Sequence, residues 1–371
     1  MSAWRLLSDD GAGAAEGLAL DEALMASYAR HATARPPTLR LYTYRRHVAL
    51  VGRYQHLEAE VDLEACAQTS TEVSRRPTGG GAIIMGPDQL GVALVTRAPV
   101  AERPKELLAR LSGGIVEALG EFGIEASFRG KNDLEVGGRK IAGLGLYLDG
   151  NGGLLFHASV LGALDVELML RVLRIPVAKL ADKAAAVVSE RVTTVSEQTG
   201  DGWDGAKLRP LVAAGFASRL GVSIEAGEAS RGELELADRL AMERYGERSW
   251  IDQRRPQPDA TGTATLRTPA GTIRLYLALQ GDTIKSALFT GDFSQVPPAL
   301  VELEGGLKWK RLERSALERA VGAAFRDSED LGTPGRWVSA LLEAGGAALE
   351  RPVAAPVRHG SCYFPERTEA Q

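Results

Sequence analysis

Cysteine is scarce in this chain of 371 residues: only Cys66 and Cys362 occur. Two cysteines exclude a disulfide scaffold and a cysteine-based metal site, and they fit a reducing compartment. The five histidines (His31, His47, His56, His157 and His359) show no metal-ligand spacing. Excess positive charge is also missing. The net charge is -4, so no broad basic field exists to collect nucleic acid. No apolar run reaches the length of a membrane span, and the amino terminus has acidic residues (Asp9, Asp10) in place of an apolar signal core. These absences point away from nucleic acid and membrane and toward a cytoplasmic protein. What remains, 44% hydrophobic and 25% charged residues, is ordinary globular composition with length for about two domains.

Periodicity and punctuation divide the chain. Leu18–Tyr28 reads as a first helix, followed by short strands around Leu39–Leu41 and Val48–Val51 and a helix over Asp62–Thr69. Val73, a glycine triplet and Ile83–Ile84 read as strand, loop and strand, and Leu90–Val95 as a further strand. Leu107, Leu108, Leu111, Ile115, Val116 and Leu119 keep helical spacing across Arg103–Gly120. Asp133–Leu148 reads as a hairpin turning at Gly137-Gly138, Leu154–Leu161 as a strand, and Asp165–Leu173 and Glu233–Tyr245 as helices. Pro256, Pro258 and Gly262 mark 253–268 as a linker between a domain at 1–252 and a smaller one at 269–350. The smaller one holds strands over Gly271–Leu279 and Thr283–Phe289 and helices over Leu317–Phe325 and Val338–Leu349. Proline-rich 351–371 reads as a tail.

Chemistry concentrates in four segments. Arg75-Arg76-Pro77-Thr78-Gly79-Gly80-Gly81 places two cations before a backbone without side chains, and Ala82-Ile83-Ile84 follows. Glycines admit close backbone approach, and guanidinium groups suit carboxylate or phosphate. The same residues also describe a hairpin turn with two solvated arginines. In Lys131–Gly143, Lys140 either pairs across the hairpin with Glu135 or points into a cleft. His157 lies in an apolar strand with Ser159, where a satisfied core histidine is the plainer reading. Lys179, Lys183 and Arg191 flank a small-residue stretch that is either a solvated helix start or a loop closing over an anion. The segments offer cations and glycine-rich backbone and no nucleophile, which suits electrostatic stabilisation of oxyanions.

In this order the segments resemble the lipoate–protein ligase family, relatives of the biotin–protein ligases. The resemblance runs through Leu18-Ala-Leu-Asp-Glu-Ala-Leu, Leu39-Arg-Leu-Tyr, Val51-Gly-Arg-Tyr-Gln, Arg75-Arg-Pro-Thr-Gly-Gly-Gly-Ala, Asn132-Asp-Leu, Gly138-Arg-Lys-Ile-Ala-Gly, His157-Ala-Ser-Val-Leu and Ser189-Glu-Arg-Val-Thr-Thr-Val, covering most of 18–250. It implies an α+β fold: a mixed, largely antiparallel sheet flanked by helices, of the class II synthetase and biotin ligase type, with a smaller α+β carboxy-terminal domain. It implies that ATP activates lipoate, or octanoate, to an acyl-adenylate with Mg2+ present, and that a lysine of a lipoyl-domain acceptor protein then takes the acyl group. Lys140 is expected to be catalytic, contacting acyl carbonyl and phosphate. Arg76, Thr78, Gly79, Gly80, Gly81, Ala82, Ile83, Ile84, Asn132, Gly143, His157, Ser159, Lys183 and Arg191 are expected to bind the adenylate, and Asp133 to orient the nucleotide or a metal.

Several positions depart from that family. Its His-Asp pair after the glycine-rich strand reads Met85-Gly86 here, and Gly86-Pro-Asp-Gln-Leu-Gly-Val looks instead like octanoyltransferases, which need no ATP. Those enzymes carry the acyl group on a cysteine. Its two known placements would fall at Ser127 and near Ile175-Pro176-Val177, where this chain has no cysteine. An octanoyl or lipoyl transferase and a non-catalytic lipoyl-binding module therefore stand beside the ligase as alternatives.

Overall fold

Fourteen strands form three sheets in the computed structural model, which describes residues 3–29, 35–99, 101–130, 132–175, 184–326 and 328–351. The strands are β1 (Ala3–Ala12), β2 (Thr38–Tyr44), β3 (Val48–Val51), β4 (Glu72–Arg75), β5 (Ile83–Met85), β6 (Gln89–Arg97), β7 (Ser127–Arg129), β8 (Asp133–Val136), β9 (Arg139–Leu148), β10 (Gly153–Leu161), β11 (Ser223–Ala226), β12 (Gly262–Thr268), β13 (Gly271–Gln280) and β14 (Thr283–Gly291). The large sheet has the order β11-β1-β2-β6-β10-β9-β8-β7. β1 runs parallel to β11 and β2, and every other neighbouring pair is antiparallel. This is the mixed, largely antiparallel sheet expected. A small sheet, β4-β3-β5, carries the two ends of the glycine-rich segment on either side of Val48–Val51.

Alternation along the strands decides which side chains meet which layer. Leu39 and Leu41 join Leu90, Val92, Leu94, Phe156 and Val160 in a core closed by the helices Pro104–Leu111, Gly113–Gly120 and Gly205–Leu220. Tyr42, Ala93, Val95 and Leu155 face the other way, against the helix Ala14–Ala29. That second face also presents His157 and Ser159.

The chain divides into two units, 1–255 with 292–295, and 256–291 with 296–371. The second contains the antiparallel sheet β12-β13-β14 and the helices Pro298–Leu307, Arg314–Ala324 and Pro334–Glu350, around a buried Trp337 whose ring meets Phe289 and Phe325 edge-on.

Three expectations change. Residues 262–268, read as linker, form β12: Ala264 and Leu266 alternate inward, a period that the flanking prolines and polar residues mask. The single helix over Arg103–Gly120 is two, separated at Ser112, where two glycines of poor helix propensity follow. The helix expected over Glu233–Tyr245 starts at Arg231 under a Ser230–Glu233 capping box and ends as a π-helix over Ala241–Tyr245. Among the described residues no helix is long and apolar enough to cross a membrane.

Candidate functional site

A cavity of about 340 Å3 opens where β5, β9 and β10 meet the loop after β4. Its floor follows from the registers. His157 lies opposite Gly145 and Ser159 opposite Gly143 across β10 and β9, and the two glycines leave room for the Thr78 and Lys140 side chains respectively. Arg76, Thr78, Gly81, Ala82, Ile83, Ile84, Asn132, Lys140, Gly143, His157, Ser159 and Arg191 all line it. Leu18, Leu50, Leu161, Leu164, Met169, Leu173, Ile175, Val187 and Val188 supply apolar wall. Such a lining, mostly apolar with a few convergent polar groups, suits a small ligand with an aliphatic part.

Lys140 follows a tight turn. Gly137 and Gly138 both have positive φ, 56° and 81°, as a primed two-residue hairpin requires. Glu135 is Lys140's partner in register, as the hairpin reading places it. The amine nevertheless turns to Asp133, with Nζ 2.7 Å from Oδ1. The contact is an ion pair without hydrogen-bond alignment, since Oδ1 receives no directed hydrogen bond. Lys140 is also held by its backbone: its N–H donates to Arg191 O (2.8 Å) and its C=O accepts from Thr193 N (2.8 Å). Two segments that looked independent in sequence thus form one wall. The Arg191 side chain itself is exposed. Lys183 lies outside the described residues.

The two arginines of the glycine-rich segment bind the protein's own carbonyls. Arg75, fully buried, donates to Gly52 O, Arg53 O, Gln55 O and Ile251 O. Arg76 donates to Leu50 O (3.1 Å), Gly79 O (2.9 Å) and Gly81 O (2.7 Å). Burial brings both guanidinium groups down to about 10, which leaves them charged at neutral pH. Arg76 thereby shapes the loop that walls the cavity, which differs from the solvated arginines of the turn reading, and it lines the cavity itself. Gly79 and Gly80 are not on the cavity wall. Within the same unit they face the segment 292–295, where Gly80 N donates to Phe293 O (3.1 Å).

His157 is more than a satisfied core histidine. Its ring lines the cavity, and Nε2 lies 2.8 Å from Oδ2 of Asp21, a carboxylate with no exposure. An ionised carboxylate only accepts, so Nε2 carries the hydrogen. The other Asp21 oxygen accepts from Arg40 (2.7 Å), which also reaches Asp9 (2.7 Å) and stacks 4.1 Å over Tyr42. Burial works against the Asp21 charge, but Arg40 and the His157 hydrogen bond outweigh it and hold the carboxyl below its usual range. Asp21 and Arg40 escaped the sequence reading. Asp21 lies 136 residues from His157, and only the sheet brings them together.

Asp133 contributes one carboxylate, already paired with Lys140. Among the described residues no three metal-binding side chains stand together. A resident metal centre does not fit this donor set. A magnesium ion would be held chiefly by nucleotide phosphates, with Asp133 the one carboxylate at hand. Of the positions weighed for a nucleophile, Ile175 lines the cavity but offers no nucleophile, and 176–177 lie outside the described residues. Ser127 is exposed on β7. Cys66 is buried among Leu57, Val61 and Val172, and burial pushes its thiol up to about 11.

Known proteins resemble this chain in sequence and in fold. The lipoyl protein ligase A/B catalytic domain matches residues 13–217, more than half of the chain. An octanoyltransferase of Symbiobacterium thermophilum is 29% identical over 269 residues, covering 67% of this chain and 97% of the relative. Lipoate-protein ligase A subunit 1 of Thermoplasma acidophilum is 27% identical over 243 residues, covering 63% of this chain and 90% of the relative. Among solved structures, a bi-partite lipoate protein ligase of Thermoplasma acidophilum, described with its E2 lipoyl domain, superposes with a TM-score of 0.62 at 25% identity, over 69% of this chain and 99% of that one.

Proposed function

The chain belongs to the lipoyl protein ligase A/B family, whose members here are lipoate ligases and octanoyltransferases, and we propose that it is the ATP-dependent kind. In this reading it activates lipoate or octanoate to an acyl-adenylate and passes the acyl group to a lysine of a lipoyl-domain protein. The observation that carries the choice is the make-up of the cavity. Lys140 lines it, and among the described residues no cysteine does. A transferase that carries its acyl group on the enzyme needs a thiolate at the reacting carbonyl. Cys66 is buried in a separate cluster.

The apolar wall takes the acyl chain, leaving its carboxylate among Lys140, Asn132, His157 and Ser159. In the first step a carboxylate oxygen bonds to the α-phosphorus of ATP. The bond from that phosphorus to the β-phosphate oxygen breaks, and pyrophosphate leaves with the electron pair. In the second step a neutral lysine amine of the acceptor attacks the acyl carbon. The C–O bond to AMP breaks, and the amine's proton passes to solvent. Negative charge shifts onto the phosphoryl oxygens in the first step and grows on the acyl carbonyl oxygen in the second, and a fixed ammonium beside them stabilises it. Magnesium, arriving with the nucleotide, would offset the triphosphate charge. Asp133 keeps the Lys140 amine turned to the cavity floor until substrate oxygens compete for it.

The second reading, octanoyl transfer without ATP, is favoured by the 29% likeness to an octanoyltransferase. Exchange of labelled pyrophosphate into ATP, dependent on lipoate or octanoate and without acceptor, separates the two. Exchange supports the ligase. Its absence, with octanoyl transfer from acyl carrier protein, would overturn the ligase reading.

A further inference from the structure

Arg53 stands beside the glycine-rich loop. Its backbone N–H donates to Thr78 O (3.0 Å). The preceding Gly52 is so close to the loop that a Cβ there would lie 2.0 Å from Gly80 O. Thr78 lines the cavity, so the 52–53 turn packs against a residue of the cavity wall. The Arg53 guanidinium lies 6.0 Å from the Tyr54 ring, 5.5 Å from Tyr147 and 5.8 Å from Trp250. Among the described residues it makes no hydrogen bond or ion pair, and Nη1 is buried without a partner. Aromatic faces recover only part of what an unsatisfied buried cation loses.

A second guanidinium approaches the same ring: Arg254 lies 5.8 Å from the Tyr54 centroid, likewise with no carboxylate partner among the described residues. The acidic groups nearby are engaged elsewhere, Asp252 by Arg248, Glu58 by Arg255 and Glu22 by Arg244. Two guanidinium groups thus lie within about 6 Å of one aromatic ring, and one of them neighbours the glycine-rich loop, a setting that suits an anion with several oxygens.

We propose that Arg53 and Arg254 form an oxyanion subsite beside the glycine-rich loop that takes the pyrophosphoryl end of a nucleoside triphosphate. This rests on the ATP-dependent reading above. In the adenylation step the departing pyrophosphate gains charge, and the two guanidinium groups receive it. In the reverse direction they hold pyrophosphate for attack on the adenylate.

The test is calorimetric titration of the full chain with inorganic pyrophosphate, comparing wild type with Arg53→Met, Arg53→Lys and Arg254→Gln. Wild type binds. Arg53→Met and Arg254→Gln each weaken binding about tenfold, as for one lost charge-assisted contact, and Arg53→Lys recovers part of it. In the exchange assay the apparent KM for pyrophosphate rises about tenfold relative to the rate of transfer from supplied acyl-adenylate. Should Arg53→Met not fold, Arg254→Gln, on a half-buried segment, carries the test. Adenylate formation with pyrophosphate affinity unchanged in the folded variants overturns the subsite and leaves the ligase reading standing. Pyrophosphate binding through Arg53 without adenylate formation does the reverse. Lost affinity for the acceptor protein alone would make this a docking surface and overturn the proposal.

Discussion

Gly143 makes room for Lys140: a Cβ at position 143 would stand 2.9 Å from the Lys140 Nζ and 3.1 Å from Cε. The obstructed atoms are the far end of a flexible side chain, so the fold can absorb a methyl group there and the amine cannot keep its place. Gly143→Ala is expected to melt within about 2 °C of wild type while acyl activation falls at least about tenfold. Lys140→Ala, which removes the ammonium, should fall further, by about 10²–10³. Thermal melts and single-turnover adenylate formation check both. Wild-type rates in Gly143→Ala would show that the amine's position does not matter.

Asp21 is a buried charge between two partners. Replacing it with alanine leaves Arg40 without its innermost counterion and His157 without its anchor. Loss of one member of a buried pair costs about 3–5 kcal/mol. Urea unfolding of Asp21→Ala should show a loss of that order. A loss under about 1 kcal/mol would mean that Asp9 alone compensates Arg40.

Glu233 predicts a pH dependence. Burial acts to raise its carboxyl, but hydrogen bonds from Arg5 and Ser230 outweigh it and bring it down to about 2. A depressed native value means that the ionised form stabilises the fold. That contribution is complete above the unfolded carboxylate range, near pH 5, and is lost as pH falls toward 2. The melting temperature of wild type should drop more steeply over this window than that of Glu233→Gln. Parallel curves would refute the assignment.

Cys66 should be chemically silent. Its thiol is 2% exposed and pushed up by burial, so little thiolate exists at neutral pH. Cys66→Ala is expected to keep activity, and intact-mass spectra of wild type with octanoyl donors should show no adduct at Cys66. A stable octanoyl adduct there would revive the covalent transferase.

Much of the fold was readable because its signals are local. The Gly137-Gly138 turn, the apolar period of the helices and the strand around His157 each depend on neighbours within a few residues. The same holds for Lys140, singled out by a turn and the small residues after it. The errors lie where local signals conflict. Prolines and polar residues concealed β12, and a continuous apolar spacing concealed the break at Ser112.

The chain's sequence by itself determined the family pattern, the class of fold and the polar residues gathered at the cavity. Only the tertiary structure decided how those residues are used. Arg75 and Arg76 turn out to hold carbonyls, because folding buries them next to unsatisfied backbone oxygens. His157 acquires Asp21 and Arg40 as partners through sheet order, which brings side chains more than a hundred residues apart within hydrogen-bond reach. Among the described residues Arg53 has no carboxylate partner, because Asp252, Glu58 and Glu22 are engaged by other arginines. No local pattern encodes these outcomes, since each depends on which groups the fold leaves within about 3 Å of one another.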